Sequence, residues 1–157
     1  MFILFKNKSG MSLVEVIIAS AIVLLISSFL ITTNLTYFKT SNSNLKSIKA
    51  IYLAEEGVEA VNFIADDWNS LGENDTDYYL IWDGSVWLAT TTQNYIDEVY
   101  DRKFITESVE RNSADEIVLA GGVVDSNTRK VTVHVSYLDT SGTTTKSIST
   151  YVFKPNE

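Results

Sequence analysis

The chain has 157 residues, with 12 Lys and Arg against 20 Asp and Glu, one His, no Cys and 45% apolar residues. A formal charge of −8 argues against a surface built to neutralise phosphates, and so against direct nucleic-acid binding, which rests on clustered cations. Without cysteine there is no disulfide framework, thiolate nucleophile or Cys-ligated zinc, and a single histidine, His134, removes most imidazole chemistry. The charges are also unevenly placed. Residues 1–49 hold five Lys and only Glu15, whereas residues 50–157 hold seven basic and nineteen acidic residues.

Residues 11–31 read MSLVEVIIASAIVLLISSFLI, in which Glu15 is the only charge. As a helix rising about 1.5 Å per residue, this run spans roughly 30 Å, the thickness of a bilayer's hydrocarbon core. A buried core helix would keep a polar face, and here only small or hydroxyl residues such as Ser12, Ala19, Ser20, Ser27 and Ser28 interrupt the apolar surface. A secretory signal would use Lys6 and Lys8 as its basic flank. Its small-residue cleavage site would fall at Ala19-Ser20-Ala21, in mid-run, so ordinary signal cleavage fits poorly. Lys39, Lys46 and Lys49 outnumber Lys6 and Lys8, so loop charge does not set orientation. Glu15 supplies another argument. A carboxylate in a membrane-spanning run costs about 2.5–3.5 kcal/mol and calls for a partner. A cut between Gly10 and Met11 would create an α-ammonium near the depth of Glu15, able to neutralise Glu15 on a neighbouring subunit.

Lys8-Ser9-Gly10 followed by Met11-Ser12-Leu13-Val14-Glu15-Val16-Ile17-Ile18-Ala19 resembles the prepilin cleavage and methylation motif of type IV pilins and type II secretion pseudopilins. The resemblance covers about residues 6 to 31. It implies cleavage after Gly10, N-methylation of Met11, and a role for Glu15 in methylation and subunit registration. It also implies an α+β, pilin-like fold, in which a long N-terminal helix has a membrane-spanning first half and an amphipathic second half packed on a C-terminal antiparallel β-sheet. Many pilins carry a proline about twenty residues into the mature helix. Here Ile31-Thr32-Thr33-Asn34 stands at that place, and Thr32, Thr33 and Asn34 are poor helix formers that could weaken it.

Beyond a polar stretch, Ile48, Ile51, Ala54, Val58, Val61, Ala65 and Trp68 recur at spacings of 3 and 4, predicting a helix that lays this face on a core. Leu53-Ala54-Glu55-Glu56-Gly57-Val58-Glu59 is similar to a short Ala-Glu-x-Gly stretch of minor pilins and pseudopilins. Glu55 and Glu59 are i,i+4 neighbours, and with Asp66 they are predicted to form one acidic face, open to a neighbouring subunit's Lys39, Lys46 or Lys49. Residues 69–77 are rich in turn formers and end the helix. Glu73, Asp75 and Asp77 alternate like the start of a calcium loop, but Tyr78 and Gly84 stand where that loop needs Gly and Glu, so a solvated acidic loop is expected and no metal site.

The period then becomes two. Residues 78–82 and 85–89 flank Asp83-Gly84, a strong hairpin signal. Further strands are predicted at 116–120, 131–137 and 148–152, giving an antiparallel meander with one wet face that carries His134. Trp82, Trp87 and Tyr95 are expected in the sheet core.

No phosphate loop, Ser-His-Asp set or activated nucleophile can be assembled, so neither a catalytic residue nor a cofactor is expected. The predicted organisation is a leader at 1–10, a transmembrane or filament-core helix at 11–31, its amphipathic continuation at 32–68 and a β-rich head at 69–157. The expected role is a structural subunit, minor-pilin- or pseudopilin-like, that starts as a single-pass precursor in the cytoplasmic membrane and ends in an extracytoplasmic filament at the cell surface. Its partners would be other pilin subunits, the prepilin peptidase and the membrane assembly machinery. A major pilin is the alternative within the class, and an uncleaved single-span protein displaying a β-rich binding domain is the alternative outside it.

Overall fold

The computed structural model describes residues 13–140 and 142–155, so Gly10 and Met11 lie outside the described residues. The chain divides into two compact units, Met1–Asn42 and Ser43–Glu157. Helix α1, Leu13–Ile64, supplies all the described structure of the first unit and the helical layer of the second. The resulting architecture is α+β, a long N-terminal helix packed through its later turns on a C-terminal antiparallel sheet.

Residues 13–40 of α1 are exposed throughout, which suits an apolar helix only if something other than water surrounds it. Thr32, Thr33 and Asn34 do not break it. Their side chains donate to the carbonyls of Ser28, Phe29 and Leu30 at 2.9 Å, as Ser28 and Thr36 do to Leu24 and Thr32. Each polar side chain is thereby satisfied inside its own helix, the arrangement that lets such residues sit in an apolar medium.

In the second unit the buried face of α1 is Ala50, Leu53, Ala54, Gly57, Ala60, Val61 and Ile64. This corrects the predicted stripe. Ile48 and Ile51 are 50% and 41% exposed, and small residues carry the seam because the helix lies close to the sheet. After α1, Asp67 caps a 3₁₀ turn, Trp68–Leu71, by accepting from the Asn69 amide and the Ser70 hydroxyl. Gly72 then turns the chain at φ +74°; a Cβ there would strike the Tyr78 ring, whose hydroxyl accepts from the Glu73 amide.

The strands are β1 (Tyr78–Trp82), β2 (Trp87–Thr90), β3 (Tyr95–Ile96), β4 (Tyr100–Arg111), β5 (Ile117–Val118), β6 (Val123–Asp139) and β7 (Gly142–Phe153), ordered β2-β1-β4-β6-β7. The hairpin at Asp83-Gly84 forms as predicted. Trp82 pairs with Trp87, and the Asp83 carboxylate accepts from the Ser85 and Val86 amides to close the turn. The predicted strand at 116–120 shrinks to two residues. Strand β4, unmarked in the sequence, pairs with β6 along its whole length: Phe104 pairs with Val133, and the core closes around them with Val131, Val135, Tyr137 and Leu80. On its other side β4 is met in succession by β3, β1 and β5.

The β4–β6 ladder is interrupted once. Ser108 pairs with Arg129 but Val109 pairs with Asp125, so residues 126–128 of β6 have no opposite number on β4, a bulge that re-aims the strand. Asp125 holds it. Its carboxylate accepts from the Thr128 hydroxyl at 2.6 Å, Arg111 Nε at 2.7 Å and the Asn127 amide at 2.8 Å. These donors, Thr128 first, lower its pKa from 3.8 to about 2. A depressed carboxylate pKa stabilises the fold at and above the unfolded value, and that stabilisation is lost as pH falls through the folded value. Acid titration followed by circular dichroism should therefore show a loss between about pH 4 and pH 2 that is reduced in Asp125→Asn; identical acid limbs would contradict the role of Asp125.

Candidate functional site: an exposed apolar helix and an acidic head

In the first unit, Glu15 occupies the first turn of α1, where a carboxylate complements the helix dipole. Large apolar side chains surround it in sequence: Leu13, Val14, Val16, Ile17 and Ile18 are all about half exposed or more. The helix is long and apolar enough to cross a membrane, and none of its most apolar window is buried. Glu15 forms no ion pair among the described residues, so the partner that an apolar setting demands must come from elsewhere.

In the second unit, Glu55 and Glu59 are exposed on α1, whereas Asp66, predicted on the same helix face, is exposed in the turn beyond the helix end at Ile64; none of the three forms an ion pair among the described residues. The adjacent Glu56, which the sequence did not single out, bonds instead to Arg102. Two of the predicted inter-subunit lysines are engaged within the chain. Lys49 pairs with Asp97 and lies 5.4 Å from the Tyr100 ring centre, and Lys46 donates to the Leu138 carbonyl at 3.1 Å. Asp97, first among the causes, raises the Lys49 pKa, which keeps the ammonium charged.

The loop at 73–77 is spent on the head's own structure. Asp77 pairs with Lys103 and raises its pKa, the Asp75 amide donates to the Thr106 carbonyl, and no cluster able to hold a metal ion occurs among the described residues. His134 sits between Lys103 and Ser147 on the sheet face away from the core, where burial first and Lys103 second lower its pKa. Of the aromatic residues expected in the core, Trp87 alone packs against it. Trp82 and Tyr95 are 52% and 54% exposed: Tyr95 pairs with Asp101 on the sheet face away from the core, and Trp82, on the core side, stands at the end of β1 and meets Trp87 at 5.5 Å.

Comparison with curated proteins and with solved structures finds no match. Residues 5–31 match the family model described as the prokaryotic N-terminal methylation motif, so this chain carries the signature of type IV pilins and pseudopilins.

Proposed function

We propose that the protein is a minor-pilin- or pseudopilin-like subunit, cut by prepilin peptidase between Gly10 and Met11, methylated at Met11 and drawn from the membrane into a pilus or pseudopilus. The motif supports a type IV pilin-like precursor, and the motif with its apolar helix is consistent with membrane anchoring. The observation that carries the reading is the exposed apolar first part of α1, whose one carboxylate, Glu15, stands four residues after Met11. In assembly, lipid around the helix is replaced by neighbouring helices. Apolar burial then contributes little by itself, since lipid is already apolar, and packing together with the Glu15 pair sets register. The divisions at 1–10, 11–31, 32–68 and 69–157 follow from these roles, with Glu55, Glu59 and Asp66 facing neighbouring heads. Such a subunit is structural rather than catalytic.

Glu15→Leu separates anchoring from assembly. The precursor should still reach the membrane, while its recovery in sheared filaments falls more than tenfold, a loss of at least about 1.4 kcal/mol from a charge pair in an apolar setting. Wild-type recovery of the variant would contradict the assembly role of Glu15.

A further inference from the structure

Among the described residues the sheet ends in two edges, β2 and β7, of opposite character. Strand β7 is twelve residues long, pairs only with β6 among the described residues, and presents an edge with no proline and one charge, Lys146. A long, nearly uncharged edge of this kind is a template for strand addition. From Thr140 to Pro155 the chain has two lysines, Lys146 and Lys154, and no acid. The opposite edge, β2, belongs to a region of the other sign: residues 50–101 hold twelve Asp and Glu and no Lys, Arg or His.

Beside β2, on the helix side of the sheet, lies a groove of about 370 Å³ lined by Phe63, Ile64, Asp66, Asp67 and Trp87. Phe63 is about half exposed there, and Leu88, opposite Ile81 on the outer face of β2, is exposed to a similar degree. Lys146 and Ile148 pair with the buried Val135 and Val133, so they too project from the helix side of their strand. β2 and β7 run in the same direction within the sheet, so copies aligned alike join these edges in parallel with their helix sides on one face, and a β7 strand laid along β2 carries Lys146 and Ile148 toward the acidic and apolar lining of this groove. Pairing β7 with β7 would instead oppose lysine to lysine.

We propose that the head of one copy adds its β7 edge to the β2 edge of the next copy, continuing the sheet between subunits. The occupant of the groove is a second copy of this chain, selected by charge. Because the two surfaces differ, the contact is heterologous and open-ended, as a filament requires. Four residues of β2 make a short ladder, weak by itself, that forms where the helices already hold copies at high effective concentration. The inference thus rests on the filament reading and adds a head-to-head contact to it.

The cysteine-free chain allows a direct test in intact filaments of the full-length protein. Leu88→Cys is combined in one chain with Thr145→Cys, Ser147→Cys or Ser149→Cys, positions on the outer face that scan the register in two-residue steps. Oxidation should give a ladder of multimers for at least one combination and none for Leu88→Cys alone. Lys146→Glu in that background should reduce the ladder several-fold, and Lys146→Glu with Asp66→Lys should restore it. Filaments that form without any ladder, or dimers from a β7 cysteine alone, would overturn the edge pairing and leave the filament reading intact. An uncut leader with no filament would overturn both.

Discussion

Arg102→Ala is expected to cost the head about 3 kcal/mol, the range for emptying a buried site and stranding its partners, whereas Arg102→Met should stay within about 1 kcal/mol of the parent. The Arg102 side chain is 4% exposed inside an otherwise apolar layer. Its Nη1 donates to the Leu53 carbonyl at 3.2 Å and meets Glu56 Oε2 at 3.1 Å, its guanidinium lies 5.1 Å from the Trp87 ring centre, and its Nε has no partner among the described residues. Burial lowers its pKa and Glu56 only partly opposes that, so the charge is held at a cost. Methionine keeps the stem and the contact with Trp87 without the desolvation, while alanine leaves a hole between helix and sheet. Thermal unfolding of the full chain in detergent should place the Ala variant roughly 10–15 °C below the parent. Equal losses for Ala and Met would show that the charge, not the volume, is what matters.

Gly57→Leu should destabilise the same seam by about 3 kcal/mol or more, and Gly57→Ala by about 1 kcal/mol. A Cβ at Gly57 would stand 2.8 Å from Val133 Cγ1 and 3.3 Å from Arg102 Cδ. Val133 is fully buried in the central β6 strand, so it has little room to yield. Alanine recovers about 1 kcal/mol of helix propensity against an overpacking cost of about 1–3 kcal/mol. The mechanism makes a sharper demand on pairs: Gly57→Ala with Val133→Ala should lose less than the sum of the single changes, by about 1 kcal/mol, because the shortened Val133 vacates the space the new methyl needs. Strict additivity in urea unfolding would contradict it.

These two residues also explain what the sequence hid. The inward positions of β4 include Arg102 and Thr106, so its alternation reads polar where the strand is in fact buried. The helix stripe was displaced for a related reason: close approach at Gly57 favours Ala50, Ala54 and Ala60 in the seam, and a search for large apolar residues selects the exposed Ile48 and Ile51 instead. Where local chemistry alone decides, the reading was direct. The apolar run that includes Glu15, the Asp83-Gly84 hairpin and the alternation of 131–137 and 148–152 each become the helix, turn and strands their patterns dictate. The site was legible for the same reason, being a continuous run with one charge. The ion pair of Lys49 and the hydrogen bond of Lys46 were not, since they join residues far apart in the chain.

The central claim is that Met11 becomes the amino terminus of a filament subunit. Mass spectrometry of the amino-terminal peptide, from protein made in a host with prepilin peptidase, tests it most directly. The account predicts a mature chain beginning at N-methylated Met11 with Lys6 and Lys8 gone, and no such product from a peptidase-deficient host. A chain retaining its first ten residues in the peptidase-positive host would contradict it and leave an uncleaved, single-span membrane protein.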